Sequence, residues 1–197
     1  MRLRQRPSPL HAPLAALLLG ACAHAPPAPE PPAEVRGEAP PITEAARTAL
    51  TGTWVYAGGA AEQAQVDEAV ARATADRGFL ERGFAAQALG DRARPRDRYT
   101  LSFDGSTVTI ASPQSPVERG EVGGPPVTLT DRFGDQSQST FRLEDGALIE
   151  AGKNPDGSGE TVFTPAADGQ TLRIRRLMQS SRLSAPVDVT LSYRRQD

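Results

Sequence analysis

The segment Tyr99-Thr100-Leu101-Ser102-Phe103-Asp104-Gly105-Ser106-Thr107-Val108-Thr109-Ile110 decides how this chain folds. Apolar and polar residues alternate on both sides of Asp104-Gly105, and this period of two is typical of a β-strand with one buried face. Asp-Gly readily adopts the positive φ angles of a tight hairpin turn. The segment therefore predicts two antiparallel strands joined by a short turn.

The same alternation recurs along the rest of the chain. Asp145-Gly146 and Asp168-Gly169 predict two more hairpins, and residues 154–159 predict a longer one. Consecutive hairpins make an up-and-down meander of about eight to ten antiparallel strands, whose edges stay unpaired unless the sheet closes. The sequence therefore favours a mainly β fold, an antiparallel up-and-down barrel. The further alternating runs are 127–130, 140–143, 172–175 and 187–194.

Helices are predicted only ahead of the meander. Residues 43–50 predict a short helix capped by Thr43, and a strand follows at Gly52–Tyr56. From Ala60 to Leu89 the apolar residues recur at helical spacing, so we expect a helix-turn-helix after the first strand. Gly78 and Gly90 are predicted to end its two helices.

This order of elements resembles the calycins, the group of lipocalins and fatty-acid-binding proteins. Gly52-Thr53-Trp54 is similar to the lipocalin opening Gly-x-Trp, and the helix pair at 60–89 resembles the portal of fatty-acid-binding proteins. The resemblance implies a lipocalin-like barrel with Trp54 as a buried plug and an arginine packed over it. Arg194, with Arg195 beside it, is the positional candidate for that arginine, although an exposed strand end explains the position equally well.

The resemblance also implies a small lipophilic ligand. Phe79, Leu80 and Phe84 lie on the second helix of the pair, so we expect them to hold this lid against the barrel and to line the ligand's entry. Leu191-Ser192-Tyr193 departs from the Arg-x-Tyr of fatty-acid-binding proteins by placing leucine in the arginine position. The identity of the ligand therefore stays open.

Two arginines of one strand offer a second ligand contact. If Arg173 and Arg175 point into the barrel, their guanidinium groups suit a carboxylate or phosphate head group. If they point outward, they form a solvated face paired with Glu144 and Glu150. The intervening leucine and isoleucine take the opposite face, which a buried core normally claims, so the outward orientation is favoured.

The residues of the predicted domain argue against several kinds of chemistry. Both histidines, His11 and His24, and the single cysteine lie before residue 43, so nucleophilic triads and the usual zinc and copper ligands are not expected there. Glu118 and Glu121 can be an acid–base pair, but their Gly/Pro-rich surroundings favour a solvated loop. Residues 156–160 lack the ligand number of a calcium loop. We expect no enzyme activity, metal or cofactor.

The N-terminus predicts where the protein resides. A cationic start at 1–6 and an apolar stretch at 10–20 form a secretory signal, and Leu19-Gly20-Ala21-Cys22 resembles the lipobox of bacterial lipoproteins. The alternative is an ordinary secretory signal that contains a cysteine. The lipobox interpretation gives a signal peptide at 1–21, a lipidated Cys22 and Pro/Ala-rich tether at 22–42, and a folded domain at 43–197.

Location and partners follow from the same residues. Ala23 after Cys22 favours a lipid anchor in the outer membrane, facing the periplasm, of a bacterial cell envelope. With a formal net charge of −2 and no basic patch, the chain is not expected to bind nucleic acid. Two functions compete: the barrel binds or carries a small lipophilic molecule, or it is a scaffold or inhibitor whose outer surface binds an envelope protein. A cavity of at least about 300 Å³ favours the first function.

Overall fold

The computed structural model of the chain describes residues 42–113 and 115–196. The predicted signal peptide, Cys22 and the tether up to residue 41 lie outside this part of the chain. Within it, no helix has the length and apolar character needed to span a membrane.

The described residues form three helices and ten strands in the predicted order. The elements are α1 Glu44–Leu50, β1 Gly52–Tyr56, α2 Ala60–Ala73, α3 Phe79–Ala93, β2 Arg98–Asp104, β3 Thr107–Ser112, β4 Ser115–Glu121, β5 Val127–Thr130, β6 Gln136–Glu144, β7 Ala147–Asn154, β8 Gly157–Pro165, β9 Thr171–Gln179 and β10 Val187–Gln196.

All ten of these strands belong to one antiparallel sheet in the order β4-β3-β2-β1-β10-β9-β8-β7-β6-β5. Strands that follow each other in sequence pair, except β4 and β5, and β1 pairs with β10 to bring the two ends of the meander together. The predicted mainly β, up-and-down barrel with a helix-turn-helix after the first strand is confirmed. The barrel is nearly closed, because β4 and β5 do not form a ladder within the described ranges.

A close contact between β4 and β6 bridges the remaining gap. The backbone N–H of Gly123 donates to the carbonyl of Phe141 at 2.7 Å, and Val122 forms a parallel bridge with Phe141. The Phe141 ring packs so tightly on Gly120 that a Cβ there would lie 2.3 Å from it.

The predicted Asp-Gly hairpins are confirmed by their backbone angles. Gly105, Gly146 and Gly169 have φ angles of 58°, 79° and 65°, and Asp145 also has a positive φ of 50°. Asp168 fixes its turn further, since its carboxylate accepts hydrogen bonds from the backbone N–H groups of Gln170 and Thr171. Local sequence therefore sets the register of these strand pairs.

The helices begin as predicted, but only α1 also ends as predicted. Helix α2 ends at Ala73, and Gly78, predicted to end it, instead precedes the first residue of α3. Thr43 caps α1, because its hydroxyl oxygen accepts a hydrogen bond of 3.2 Å from the N–H of Ala46. Gly90 does not end α3, which runs through it to Ala93. The helix ends at Arg94 instead, because a residue that precedes proline is forced out of helical geometry.

The core lies between the inward faces of the strands and helix α2. Val66, Ala69, Val70 and Ala73 turn toward β10 and are buried. Within the barrel, Tyr56, Tyr99, Phe163 and Tyr193 form a chain of edge-to-face aromatic contacts with ring centroids 5.4–5.6 Å apart. These four rings occupy part of the barrel interior.

Candidate functional site

One end of the barrel is closed by Trp54. Its side chain is fully buried, and its indole N–H donates a 2.9 Å hydrogen bond to the carbonyl of Leu50 at the end of α1. The guanidinium of Arg195 lies 4.2 Å from the centre of the Trp54 ring. Trp54 and its cation–π partner therefore pack closely together next to the end of α1.

Arg195 also holds the end of α1 in place. Its guanidinium donates to the carbonyls of Ala49 at 2.9 Å and Thr51 at 2.5 Å, and its Nε donates to the carbonyl of Gly169 at 2.8 Å. Carbonyl groups at a helix C-terminus lack helical partners and carry partial negative charge. One cation therefore joins α1, the β8–β9 turn and the plug.

The arginine over Trp54 is Arg195 rather than the predicted Arg194. Trp54 pairs directly with Arg195 in the β1–β10 register, whereas Arg194 falls on the outward, exposed face. Gly52 leaves room for this arrangement, since a Cβ there would lie 2.5 Å from Nη1 of Arg195. The first glycine of the Gly-x-Trp sequence therefore allows the arginine to approach the backbone.

Helix α3 belongs to the predicted lid of the barrel. Phe79, Leu80 and Phe84 are 88%, 75% and 77% exposed, so they do not hold the lid against the barrel as expected. Ala86, Leu89 and Ala93 are the residues of α3 that pack in or against the core, and α3 contacts α2. Phe79 and Phe84 face solvent instead.

Ionic contacts attach the C-terminal end of α3 to the β5–β6 loop. Arg92 contacts the carboxylates of Asp131 at 3.5 Å and Asp135 at 2.5 Å. Its guanidinium also lies 4.3 Å from the ring centre of Phe133. Arg132 adds a hydrogen bond to the backbone carbonyl of Asp91.

The α2–α3 turn is attached to the β9–β10 loop by polar contacts. Arg77 donates to the carbonyl of Arg182 at 2.5 Å, and the N–H of Asp76 donates to the hydroxyl of Ser184 at 3.2 Å. The lid is thus held at both ends through exposed polar groups rather than through buried aromatic side chains.

An open cavity of about 470 Å³ lies beneath α3, against strands β6 to β9. Serine, glycine and charged side chains make up much of its wall, including Ser137, Ser139 and Gly152. The apolar part of the wall consists of Ala85, Ala88, Leu89, Leu177, Met178 and Leu183. The cavity therefore has an amphipathic lining that suits a molecule with both an apolar and a polar part.

Charged side chains from β7 and β9 lie at the inner wall of this cavity. Glu150 on β7 and Arg176 on β9 line it, and both also line a smaller chamber of about 30 Å³ together with Glu118 of β4. Glu118 therefore lies in a strand and faces the interior, where its partner is Glu150. The favoured prediction of a solvated loop is wrong, since Glu118 and Glu121 lie in strand β4. The alternative of an acid–base pair between them is wrong as well, since Glu121 lies on the exposed face of that strand.

The surroundings of Glu118 and Glu150 raise the pKa of both carboxyl groups. Burial raises the pKa of Glu118 and, with repulsion from Glu118, raises the pKa of Glu150 to about 8. The two carboxyl groups hydrogen bond to each other, and the positive charge of Arg176 offsets only part of the burial cost. Burial therefore favours a protonated carboxyl group in this hydrogen-bonded pair.

Arg96 completes the smaller chamber from the segment before β2. Its side chain is 8% exposed, and burial together with the charge of Arg176 lowers the pKa of its guanidinium. It hydrogen bonds to Tyr99, and its backbone N–H donates to the hydroxyl of Tyr193 at 3.1 Å. Burial is also the main cause that raises the pKa of Tyr99 and of Tyr193.

Comparison with known proteins identifies the fold. No protein-family model and no curated protein matches the sequence. Apo lipid binding protein 8 of Caenorhabditis elegans superposes with a TM-score of 0.50 at 12% identity, over 75% of this chain and 96% of that one. The fold is a calycin barrel. At this identity the likeness is one of fold.

Two further solved structures superpose over a similar extent. A Schistosoma mansoni fatty acid binding protein in complex with arachidonic acid gives a TM-score of 0.49 at 14% identity, over 77% of this chain and 99% of that one. A fatty-acid-binding protein from brain tissue of Drosophila melanogaster gives 0.48 at 13% identity, over 74% and 98%.

The remaining predicted site residues lie on the outside of the calycin barrel. Arg173 and Arg175 are exposed, and Arg175 makes a double hydrogen bond to Asp188 at 2.8 and 2.6 Å. They follow the favoured outward orientation, but the partners differ from those expected, since Glu150 lies inside the barrel. The inward arginine of this strand is Arg176, which shares the phase of the buried Ile174.

The calycin barrel shows no metal site within residues 42–113 and 115–196, where no cluster of three His, Cys, Asp or Glu side chains is placed to hold an ion. Residues 156–160, which lack the ligand number of a calcium loop, belong to a hairpin turn. The side-chain oxygen of Asn154 accepts hydrogen bonds from the N–H groups of Asp156 and Gly157 at 3.0 and 2.9 Å.

Proposed function

We propose that this chain is a lipid-anchored protein of the bacterial cell envelope whose calycin barrel binds a small lipophilic molecule beneath α3. The observation that carries the proposal is the open cavity of about 470 Å³ between α3 and β6–β9. Its size lies within the range of about 300–1,000 Å³ that is usual for small-molecule sites. A calycin relative of similar fold is described as a lipid binding protein.

The location rests on the sequence of the N-terminus. Leu19-Gly20-Ala21-Cys22 supports a lipidated Cys22, and Ala23 supports sorting to the outer membrane. Substitution of Cys22 by serine should release the protein into the soluble periplasmic fraction or leave an uncleaved precursor. Membrane fractions that still contain a lipidated Cys22→Ser protein would contradict the anchor.

Ligand binding is tested with a variant that fills the cavity. Ala85 lines the cavity from α3, whereas Gln87 lies on the exposed face of the same helix. Native mass spectrometry of the full chain after incubation with an envelope lipid extract should show a bound small molecule in the wild type and in Gln87→Trp. Ala85→Trp should lose it, because the indole occupies the same space.

Loss in both tryptophan variants would point to disturbance of the helix rather than of the cavity. Absence of any bound molecule in the wild type would contradict lipid binding. The second candidate function, docking to an envelope protein, would then gain support, since Phe79, Leu80 and Phe84 form an exposed apolar patch on α3.

Replacing the three apolar side chains of that patch by serine separates the two functions. The substitutions should leave the bound molecule in place, because none of the three residues lines the cavity. Loss of a cross-linked protein partner from the triple variant, with ligand retained, would assign the patch to docking.

A further inference from the structure

Two glycines that pair with each other lie on the sheet side of the large cavity. Gly152 on β7 is directly opposite Gly159 on β8 in the strand register, and both line the cavity of about 470 Å³. The next residues in the same cross-strand row are Ser139 on β6 and Met178 on β9, which also line the cavity. The inner wall therefore carries no side chain across two adjacent strands, a width of about 10 Å.

Packing within the protein does not account for glycine at these two positions. A Cβ at Gly159 would come closest to the carbonyl oxygen of Leu177, at 3.4 Å, which is an ordinary contact. A Cβ at Gly152 would come closest to the hydroxyl oxygen of Ser139, at 3.0 Å, which a small shift of the serine relieves. Neither glycine has a positive φ. Because glycine weakens the interior of a strand and often marks a close approach of a ligand, the pair indicates contact with a bound molecule.

The helix side of the cavity is also lined by small residues. Helix α3 contributes Ala85, Ala88 and Leu89, which have the i, i+3 and i+4 spacing of one helix face. Two of these three side chains consist of a single methyl group. The cavity between α3 and the glycine pair is therefore a slot with two flat walls.

A buried hydroxyl group lies at the edge of this slot with a hydrogen to donate. Ser139 is fully buried, and its hydroxyl oxygen lies 3.1 Å from that of Ser137, which also lines the cavity. One hydrogen bond between two hydroxyl groups uses one of their two hydrogens. The other hydrogen has no acceptor among the described residues. Because a buried donor without an acceptor is costly, this serine pair suits an oxygen atom of a bound molecule.

We infer that the slot between α3 and the Gly152–Gly159 pair binds a flat ring system that carries an oxygen atom at its edge, next to Ser139. The inference rests on the proposed function, because it assigns the shape and the polar group of the same lipophilic ligand. One strand spacing of about 4.8 Å is wide enough for an unbranched alkyl chain, so a single glycine would be enough for it. Two fused six-membered rings need the width of about two strands.

The residues around the slot agree with a ring that is apolar on its faces and polar at its edge. Its two faces would contact glycine backbone and the alanine side chains of α3. The next inward row of the sheet is polar, with Glu150, Thr161 and Arg176 two positions further along β7, β8 and β9. A second polar substituent of the ring would therefore also find a hydrogen-bonding group.

The test compares two ten-carbon alcohols, the planar 2-naphthol and the linear 1-decanol. The full chain carrying Cys22→Ser is titrated calorimetrically with each alcohol. Gly159→Val places a branched side chain in the slot, so the affinity for 2-naphthol should fall at least about tenfold and that for 1-decanol less than about threefold. Ala151→Val is the matched control, because Ala151 precedes Gly152 on β7 and does not line the large cavity. It should leave both affinities unchanged.

The serine pair is tested with the double variant Ser137→Ala/Ser139→Ala. It removes one net hydrogen bond to the ligand, so the affinity for 2-naphthol should fall about fivefold. Naphthalene has no oxygen atom, and its affinity should stay the same. An unchanged affinity for 2-naphthol would overturn the assignment of the oxygen atom to this edge.

Thermal unfolding without ligand tests the role of the glycine itself. Gly159→Ala should raise the melting temperature by about 1–4 °C, because alanine fits the space and restricts the unfolded chain. A fall in melting temperature would show that packing requires the glycine and would overturn the inference.

The binding results separate the inference from the proposed function. Equal losses of both alcohols in Gly159→Val, or an unchanged affinity for 2-naphthol, would overturn the inference while leaving lipid binding intact. Binding of 1-decanol without 2-naphthol by the wild type would do the same. If the wild type binds neither alcohol, the proposed function fails together with the inference.

Discussion

Replacement of Arg195 by alanine should be among the most damaging single substitutions at the closed end of the barrel. The guanidinium donates hydrogen bonds to the carbonyls of Ala49, Thr51 and Gly169 and lies 4.2 Å from the centre of the Trp54 ring. A net hydrogen bond contributes about 1 kcal/mol, and a partly exposed cation–π contact about 0.5–1 kcal/mol. The sum predicts a loss of about 3–4 kcal/mol in the free energy of unfolding.

Urea unfolding followed by tryptophan fluorescence measures this loss directly, since Trp54 is the only tryptophan and lies under the guanidinium. For a domain of about 150 residues, the corresponding fall in melting temperature is about 10 °C. Arg195→Lys retains the charge but not the planar fork, so we expect it to recover less than half of the loss.

Arg194→Ala is the matched control, because Arg194 is the preceding residue of β10 and its side chain is exposed. Its effect should stay within about 0.5 kcal/mol of the wild type. Equal effects of Arg194→Ala and Arg195→Ala on the unfolding free energy would refute the assignment of Arg195 as the residue that holds the plug.

Three further predictions concern Glu150, helix α3 and Gly120. Because the pKa of Glu150 is raised to about 8, the folded state holds a proton that the unfolded state releases, so the free energy of unfolding should fall between about pH 4.5 and pH 8. Glu150→Gln should remove most of that fall in urea titrations at several pH values. Arg92→Ala should speed amide hydrogen exchange in α3 but not in the strands, whereas Gln87→Ala should leave it unchanged. Gly120→Ala should lower the free energy of unfolding in urea by about 1–3 kcal/mol, because the added Cβ meets the packed ring of Phe141. Gly78→Ala is the control and should leave that free energy unchanged, because the space around Gly78 is open.

Most strands could be predicted from the sequence because the pattern that indicates them is local. Alternation and Asp-Gly turns depend only on residues a few positions apart, and the structure confirms the alternating runs in β2, β3, β5, β6, β9 and β10. Strand β4 escaped this reasoning, since Pro116, Glu118 and Gly120 give its sequence the composition of a loop. An edge strand tolerates proline because one of its sides makes no ladder, and Gly120 is needed where Phe141 packs on the backbone.

The cluster of Glu118, Glu150 and Arg176 could be predicted from the sequence only in part. Arg176 follows Leu172 and Ile174 in strict alternation, so its inward orientation was available from the phase of the strand. The expectation that the core claims apolar residues drew attention to Arg173 and Arg175 instead. The pairing of Glu118 with Glu150 had no local signal, because it depends on how β4 approaches the far side of the sheet across the gap in the barrel.

The contacts of the lid explain how a ligand can reach a cavity that α3 covers. Helix α2 is fixed by buried side chains against β10, whereas Arg92 and Arg77 hold α3 through partly exposed polar contacts. Exposed ion pairs contribute about 0–1 kcal/mol each, far less than the burial of an apolar face. Displacement of α3 breaks these polar contacts and also exposes Ala93, which is fully buried, and Leu89, which packs against the core. Had Phe79 and Phe84 been buried beneath the helix, each opening would have exposed two aromatic side chains to water; their outward orientation removes that cost.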